Sequence, residues 1–449
     1  MNLPYIPIGE DYLIYSPLQG LAALVNGEAF HCLRKRGLSA GLKNRDGSLE
    51  QLHKRLKDPG EPEPSPRSGP FEPHFLGLIT TRGCNMSCSY CDFHDPEKDP
   101  EIMGISIALQ ALGWMADQEV RRGTRFLNIH FFGGEPFLSI DWMKQVVEEA
   151  GGLARKRGLQ VRFVACTNGV MNEEDALWVR DHFDSIVLSM DGPAEVQNKY
   201  RPLKGKGDSF STLNRNAKIF GEGRLDFVIR ICVLDQTLSR LEDTVQFFSR
   251  EYGPSAIVLE SLRDSDAVSK GSFGPPNPWE FARRFAHASI MAESLGVKLV
   301  HSTCRLDKTQ SSFCPVANDG FIIDPQGRIS SCYQLEGEWL RQGLSLYFGR
   351  ISPQGKVHID EEALARIRSL VVQNKPRCRS CFCKWHCAGG CHILHTPPGG
   401  SEEYSDLCHQ TRSITVWKIL HSLDLEVVAE RFLEHPRVEG DGVLEFPEI

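Results

Sequence analysis

Three cysteines at a short, regular spacing are the residues whose chemistry is easiest to interpret. Cys84, Cys88 and Cys91 form a CxxxCxxC pattern directly after the apolar, strand-like run 75–81. Cysteine thiolates hold iron–sulfur clusters, usually four to a cluster. A run of three can hold a [4Fe–4S] cluster and leave one iron open to a small molecule. The alternatives are a structural zinc site, which normally closes with four ligands, and buried thiols that only pack.

Polar, glycine-containing segments follow the next three strand-like runs. They are Gly133-Gly134-Glu135-Pro136, Thr167-Asn168-Gly169 and Ser189-Met190-Asp191-Gly192-Pro193, with Arg201 a little further along the chain. Glycine lets the backbone approach a ligand closely, and Glu135 offers a carboxylate to a cationic group. Each segment taken singly is typical of a turn. Their matching positions after successive strands favour one shared site.

These segments lie where strand-like and helical patterns alternate. Strands are expected at 74–81, 126–132, 161–167, 185–189, 227–233 and 256–260, with helices between them and at 278–295. Such alternation predicts an α/β fold with a parallel sheet and crossover helices. Six units would make a partial barrel, in which chemistry gathers at the C-terminal ends of the strands.

A second group of cysteines lies in the last third of the chain. It consists of two isolated residues, a Cx2Cx5Cx3C block and a final residue: Cys314, Cys332, Cys378, Cys381, Cys387, Cys391 and Cys408. Seven ligands do not suit a single tetrahedral zinc site. A hairpin is expected at 320–329 and a helix at 360–370, between the cysteines.

Five further cysteines stand outside these patterns. Cys304 precedes Cys314 by ten residues and is a candidate additional ligand. Cys32, Cys166 and Cys232 lie in apolar runs and are expected in the core. Cys383 lies inside the cysteine block and is a spare or an alternative ligand.

Composition excludes several classes of protein. The 449 residues include 15 cysteines and carry a formal net charge of −7, whereas a general nucleic-acid binder has a basic domain. The sequence contains no apolar run of the length that spans a membrane, and its first residues lack a secretory signal. We therefore expect a cytoplasmic protein without nucleic-acid or membrane partners, whose cysteines serve metal or catalysis rather than disulfides.

The chain divides into five parts. Residues 1–58 predict a small α+β unit with a hairpin formed by 11–15 and 21–25, a helix capped by Asn26 and a second helix at 48–56. Residues 59–73 are a proline-rich, extended linker. The barrel is expected at 74–300 and the cysteine-rich domain at 301–411. Residues 412–449 predict an amphipathic helix at 414–433 and a tail.

The motifs of the barrel resemble those of the radical S-adenosylmethionine (SAM) superfamily: CxxxCxxC with Tyr90 before the last cysteine, then GGEP, TNG and SxDGP…R. The resemblance implies a partial (β/α)6 TIM-like barrel, a [4Fe–4S] cluster on Cys84, Cys88 and Cys91, and SAM bound at the open iron. Gly133 to Glu135 would hold the methionyl amine, and Ser189, Asp191 and Arg201 would lie near the ribose and carboxylate. Tyr90 and Pro136 belong to the same implied cofactor-binding set. One electron would cleave SAM to a 5′-deoxyadenosyl radical, which abstracts a hydrogen atom from the substrate.

The seven later cysteines resemble the SPASM domain, which implies two auxiliary [4Fe–4S] clusters. By this resemblance, Cys314, Cys332 and Cys391 would hold the first cluster. The second would be held by Cys378, Cys381, Cys387 and Cys408. Cys304 would complete the first cluster or leave it with an open iron. The N-terminal unit resembles, in its order of elements, the winged-helix, PqqD-like domains that recognise peptides.

Three functions remain open at this stage. The resemblance favours a maturase that forms thioether, carbon–carbon or carbon–oxygen links in a ribosomally made peptide and takes electrons from a flavodoxin or ferredoxin. The alternative is an anaerobic sulfatase-maturating enzyme, which forms formylglycine and normally carries an Asp where this chain has Tyr333. A non-catalytic iron–sulfur electron carrier is an alternative of another class, although a carrier needs no GGEP or SxDGP loops. No residue stands out as the general base.

Overall fold

The computed structural model describes residues 2–34, 48–91, 93, 101–205, 207–263, 273–393, 403–438 and 442–445. The described residues form two sheets, one of four strands and one of eleven. No helix among them is long and apolar enough to cross a membrane.

The four-stranded sheet combines the two ends of the chain. Its strands are β1 (Asn2–Ile8), β2 (Asp11–Ser16) and β3 (Leu21–Asn26), followed by helices Gly27–Arg34 and Ser48–Leu56. The predicted hairpin is confirmed, because β2 and β3 pair antiparallel, and the side chain of Asn26 accepts a hydrogen bond from the Ala29 N–H as a helix cap does (2.9 Å).

The C-terminal tail supplies the fourth strand of this sheet. Gly442–Glu445 pairs antiparallel with β1 on the side opposite β2. Sequence patterns had indicated neither β1 nor this tail strand, because the pairing joins residues from opposite ends of the chain. The tail strand therefore forms one edge of this sheet, and β3 forms the other.

The larger sheet is built on a run of parallel strands. Its strands are β4 (Leu76–Ile79), β5 (Phe126–Phe132), β6 (Gln160–Thr167), β7 (Ser185–Ser189), β8 (Asp226–Val233), β9 (Ala256–Ser261) and β10 (Lys298–Val300). Each of the first six overlaps a strand expected from the sequence, and every neighbouring pair is parallel. The α/β fold with a parallel sheet is confirmed.

Crossover helices connect these strands and bury apolar faces against the sheet. The helices are Ile105–Arg121, Ile140–Lys156, Glu173–His182, Ala194–Tyr200, Phe210–Gly221, Asp235–Leu238, Leu241–Tyr252 and Pro278–Ser294. Side chains along each strand alternate between the two faces of the sheet. In β8, Phe227, Ile229 and Ile231 are buried in the apolar core. The residues between them face the interior of the partial barrel.

The cysteine-rich part extends the same sheet. Strands β11 (Phe321–Ile323), β12 (Arg328–Ser330), β13 (Tyr347–Ile351) and β14 (Val357–Ile359) follow one another, and helices Glu336–Arg341, Glu361–Arg368 and Lys384–Cys387 lie between or after them. The expected hairpin is confirmed by the antiparallel pair β11–β12. Because β11 also pairs parallel with β4, the two parts of the chain share one continuous sheet.

Two expectations need correction. The proline-rich linker is anchored at its end, where Phe71 is buried against Trp114, Phe321 and Phe348. The single amphipathic helix expected at 414–433 is two helices, Asp406–Ser422 and Glu426–Glu434. The break falls at Asp424, whose φ of 56° does not continue a helix, and the first helix is buried on nearly all sides.

Candidate functional site

A cavity of 190 Å³ lies at the C-terminal ends of the parallel strands. Most of the site residues expected from the barrel sequence line it together: Cys84, Cys88, Tyr90, Cys91, Gly133, Gly134, Ser189, Asp191 and Arg201. Glu135 and Pro136 are buried in the wall and are not among the lining residues. The sequence motifs therefore converge on one place, although they come from strands far apart in the chain.

The cysteine loop is fixed by backbone bonds to the segment that follows the fourth barrel strand. The Ser87 N–H donates to the Pro202 carbonyl and the Ser89 N–H to the Tyr200 carbonyl, each at 2.9 Å. Burial raises the pKa of Cys88 to about 12, and the neighbouring Cys91 and Cys84 thiols add to the shift. All three cysteines line the same cavity.

The two glycines of GGEP let the second strand end press against the cysteine loop. A Cβ atom on Gly133 would lie 2.2 Å from the Thr81 carbonyl oxygen, and one on Gly134 would lie 2.2 Å from the Gly83 carbonyl oxygen. The Gly134 N–H donates to the Thr81 carbonyl at 2.9 Å. Only residues without a side chain fit this contact, so the glycines set the distance between the loops.

Glu135 joins two strand ends rather than facing the cavity. Its carboxylate accepts hydrogen bonds from Thr167 Oγ1 (2.7 Å), the Asn168 N–H (2.7 Å) and the Phe137 N–H (3.1 Å). Burial raises the pKa of Glu135 to about 7, and the three hydrogen bonds oppose that rise. In the structure this carboxylate braces GGEP against TNG, and its contact with a cationic group of a ligand stays a prediction.

Tyr90, Asp191 and Arg201 form one buried network. The Tyr90 hydroxyl donates to the Asp191 carboxylate, and Arg201 Nη1 donates to the Tyr90 oxygen at 3.0 Å. Asp191 also accepts from the Cys232 N–H at 3.0 Å. Because Asp191 accepts hydrogen bonds from both Tyr90 and Cys232, the network connects the cysteine loop to the fourth and fifth barrel strands. Its three residues also line the cavity.

Asn168 of the TNG segment reaches the cysteine loop directly. Its Nδ2 atom donates to Asn85 Oδ1 at 2.8 Å and lies 3.5 Å from Cys84 Sγ. Amide hydrogen bonds to thiolate sulfur tune iron–sulfur clusters. TNG is therefore part of the site through a side chain as well as through its turn.

The far wall of the cavity contains polar residues that the sequence analysis missed. Arg230, Glu260 and Arg263 line it. Cys166 and Cys232, two of the three cysteines expected in the core, line it as well. The sequence contained a signal for this wall. Arg230 lies between two isoleucines in β8, and a charged residue inside an apolar strand indicates a side chain that faces a polar site. Arg263 forms an ion pair with Glu338 (2.8 Å).

The seven later cysteines fall into two spatial groups. Burial raises the pKa of Cys314, and the nearby Cys391 and Cys332 add to the shift. Burial also raises the pKa of Cys387, with additions from the nearby Cys408, Cys381 and Cys378. The fold thus brings together a group of three thiols and a group of four. In the group of three, Cys314 and Cys391 are 77 residues apart in the sequence.

Arg82 connects the first of these groups to the barrel site. Its guanidinium donates to the carbonyls of Tyr333 (2.8 Å) and Gln334 (3.4 Å), which directly follow Cys332. Arg82 itself lies two residues before Cys84. The barrel loop and the cysteine-rich part are therefore held together next to the cavity.

Cys304, the candidate that would complete the first auxiliary cluster or leave it with an open iron, has protein contacts of its own. Its thiol donates to the Thr411 carbonyl at 3.5 Å and lies 3.7 Å from His301 Nδ1. It is among the charges that act on Cys387, so it stands beside the group of four cysteines rather than with Cys314. Its thiol already has a backbone partner there.

The donor atoms of these groups suit iron–sulfur clusters. Cys84, Cys88 and Cys91 line one cavity, and the later cysteines form a group of three and a group of four. Cysteine thiolates are also the ligands that iron–sulfur clusters use, so the residues present fit these groups.

A partial barrel with a three-cysteine loop at its C-terminal face offers the donor set of an iron–sulfur site. Residues 78–248 match the model of the radical SAM superfamily. This part of the chain is therefore a radical SAM domain, a family whose members use a [4Fe–4S] cluster and SAM.

The curated relatives include two kinds of enzyme. A cysteine-type anaerobic sulfatase-maturating enzyme from Clostridium perfringens is 26% identical over 175 residues, which cover 38% of this chain and 46% of the relative. The match therefore spans just under half the length of that relative. The radical SAM cyclopropyl synthase TigE from Paramaledivibacter caminithermalis is 20% identical over 342 residues, covering 70% of this chain and 67% of the synthase.

Solved structures share the fold over most of the chain. Native anSMEcpe with bound AdoMet has a TM-score of 0.60 and 19% identity, covering 79% of this chain and 99% of that one. Streptococcus suis SuiB bound to the precursor peptide SuiA has a TM-score of 0.51 and 12% identity, covering 88% and 96%. At these identities the likeness establishes the fold.

Proposed function

We propose that this protein cleaves SAM reductively and uses the resulting radical to modify a residue of a ribosomally made peptide. The observation that carries the proposal is the shared cavity wall, where the cysteine loop meets the glycine turn of GGEP. The bond formed would be a thioether, carbon–carbon or carbon–oxygen link.

The residues of the cysteine loop would hold the catalytic cluster. Cys84, Cys88 and Cys91 would be the thiolate ligands, and the backbone at Gly133 and Gly134 would face the methionyl group of SAM. When bound, the cluster and SAM supply the electron and the 5′-deoxyadenosyl radical for hydrogen abstraction.

The protein's own contribution is positioning and protection from water. Glu135 locks the GGEP turn to Thr167 and Asn168 through buried hydrogen bonds. Tyr90 holds the loop against Asp191. These contacts fix the cavity wall before any ligand arrives, which reduces the reorganisation needed at the reacting centre.

The two later thiol groups would hold auxiliary [4Fe–4S] clusters in a SPASM domain at residues 301–411. Cys314, Cys332 and Cys391 would be ligands of the first, and Cys378, Cys381, Cys387 and Cys408 of the second. We assign no cluster to Cys304, because its contacts lie with Thr411 and His301.

A peptide substrate fits the N-terminal unit. Strand β3 is one of the two edge strands of that sheet, and an edge strand can bind an extended peptide by adding a strand. SuiB, which shares the fold, is described with its precursor peptide bound. We propose that residues 1–58 receive the leader of the substrate.

Sulfatase maturation is the second candidate, and the curated relatives favour it. Tyr333 argues against this candidate, because those enzymes normally carry at this position an aspartate that acts as the base. The Tyr333 ring packs against Phe132 (4.6 Å between centroids), and among the described residues its hydroxyl has no hydrogen-bond partner. The chain would need another proton acceptor for formylglycine formation.

The test is SAM cleavage by anaerobically reconstituted protein with dithionite, followed by chromatography for 5′-deoxyadenosine. Wild type should form it and Cys84→Ala should not. Two substrates then separate the candidates: a short peptide encoded beside the gene, and a sulfatase peptide carrying the target Cys or Ser. A mass change confined to the sulfatase peptide would overturn the peptide-crosslinking proposal, and no 5′-deoxyadenosine from wild type would overturn both.

A further inference from the structure

Arg230 lines the barrel cavity, and the proposed chemistry gives it no role. It lies in β8 between the buried side chains of Ile229 and Ile231. Strands β7 and β9 flank it, and its register partners there are Ser189 and Val258. The side chain therefore enters the cavity from within a paired strand. A binding group on such an element is held more precisely than one on a loop.

The positive charge of Arg230 is not neutralised by a close contact. Within the described part of the chain, its guanidinium has no hydrogen-bond or ion-pair partner. By contrast, Arg263 on the same wall is paired with Glu338 at 2.8 Å. Glu260 also lines the wall, and its carboxylate accepts a hydrogen bond from Ser302 Oγ at 3.3 Å. Because a partly buried cation without a partner costs free energy, an anion that pairs with Arg230 would gain binding energy.

SAM has a different arginine available to it. It would bind at the open iron, which places its methionyl carboxylate beside the cysteine loop. Arg201 is attached to that loop through the Tyr90 oxygen (3.0 Å). The Nε atom of Arg201 is buried and, among the described residues, has no hydrogen-bond partner. Arg201 is therefore the cation nearer to the expected SAM site, and Arg230 remains for the substrate.

We propose that Arg230 binds a carboxylate of the substrate peptide, so that the enzyme selects an acidic side chain or a free C-terminus at the site of modification. This inference rests on the proposed function, because it takes the substrate to be a peptide. A guanidinium forms two parallel hydrogen bonds with a carboxylate. In a small cavity, a few placed polar groups set the orientation of the ligand and the specificity of binding. The pairing would hold a neighbouring carbon–hydrogen bond in front of the radical.

The test measures binding of three acetylated pentapeptides to reconstituted, SAM-loaded full-length protein by anaerobic equilibrium dialysis. One peptide has a central glutamate between glycines and an amidated end. The second has glutamine in place of the glutamate, and the third is the glutamine peptide with a free C-terminal carboxylate. The variant is Arg230→Gln, and the matched control is Arg162→Gln, an exposed arginine near the start of β6. Iron content and SAM binding are measured for each protein, and Arg230→Lys replaces the variant if iron is lost.

We expect wild type to bind one or both carboxylate peptides about tenfold more tightly than the neutral peptide. The control should keep this preference. Arg230→Gln should lose it, and Arg230→Lys should weaken it because an ammonium lacks the planar fork.

Equal binding of the three peptides by wild type, or no binding, would overturn the proposal. A preference kept in full by the variant would also overturn it. So would loss of SAM binding in the variant, because that result would assign Arg230 to SAM. Formation of 5′-deoxyadenosine with dithionite tests the proposed function separately, because that reaction needs no peptide carboxylate.

Discussion

The hydroxyl of Tyr90 donates a hydrogen bond to the carboxylate of Asp191 across the mouth of the barrel. One residue belongs to the cysteine loop and the other follows the fourth barrel strand, 101 residues later. Through this bond, and through Arg201 Nη1 at 3.0 Å from the same oxygen, the loop that would carry the cluster is fixed to the strands that would bind SAM.

Replacing Tyr90 by Phe should weaken SAM binding while leaving the fold intact. The variant keeps the ring and leaves the buried Asp191 carboxylate short of one donor, which costs about 1–3 kcal/mol. We expect the dissociation constant for SAM to rise about tenfold, as measured by equilibrium dialysis under anaerobic conditions. Tyr252→Phe is the control, because it removes a hydroxyl bonded to Asn214 (2.9 Å) away from the cavity; equal effects of the two changes would refute the role of Tyr90.

Replacing Glu135 by Gln should lower both stability and activity. The Gln side chain keeps one acceptor oxygen and places an NH2 group at the other position, so either the Thr167 hydroxyl or the Asn168 N–H loses its acceptor, at a cost of about 1–3 kcal/mol. Urea unfolding should show the loss, and 5′-deoxyadenosine formation should nearly cease.

The matched control for Glu135 is Glu119→Gln. Glu119 is also buried, and it is paired with Arg122 in helix Ile105–Arg121. This change should lower stability and leave SAM cleavage intact. Normal cleavage by the Glu135 variant would show that the bracing of GGEP against TNG is dispensable.

A methyl group on Gly134 should disrupt the site. The new Cβ would lie 2.2 Å from the Gly83 carbonyl oxygen, so the cysteine loop must move, and overpacking of this kind costs about 1–3 kcal/mol. We expect loss of SAM binding and reduced iron content. Gly152→Ala, in open space on helix Ile140–Lys156, should instead stabilise the protein by about 0.5–1 kcal/mol. Similar behaviour of both variants would contradict the close-approach argument.

Tyr15 should anchor the N-terminal sheet to the cysteine-rich part. Its hydroxyl is hydrogen-bonded to His386 Nε2, next to Cys387. Tyr15→Phe should therefore speed hydrogen exchange in β2 without unfolding the barrel, since one buried hydrogen bond contributes about 1 kcal/mol. Tyr12→Phe keeps its ring stacked on Phe30 (3.8 Å) and should leave exchange unchanged. Unaltered exchange in the Tyr15 variant would mean that other contacts hold the sheet.

Local signals predicted the barrel well because its elements are periodic and its turns contain distinctive residues. Strand β5 was expected at 126–132 and lies there, and the glycines of GGEP pointed to a close backbone contact that the structure contains. Local sequence patterns therefore predicted the positions of the strands and turns.

Contacts between distant segments had no such signal. The parallel pairing of β11 with β4 and the tail strand on β1 join residues hundreds of positions apart, and no periodicity encodes a partner. The inward direction of Arg230 and the bracing role of Glu135 likewise depend on packing. The GGEP motif indicated that Glu135 belongs to the site. It did not indicate that the Glu135 carboxylate accepts hydrogen bonds from Thr167 and Asn168.

The central claim is that Cys84, Cys88 and Cys91 hold a cluster separate from those of the later cysteines. The measurement that tests it most directly is iron and sulfide content of anaerobically reconstituted protein, wild type beside a variant with all three cysteines changed to Ala. We predict about twelve irons for the wild type and about eight for the variant, at four irons per cluster. Zinc in place of iron, or no loss in the variant, would contradict the account.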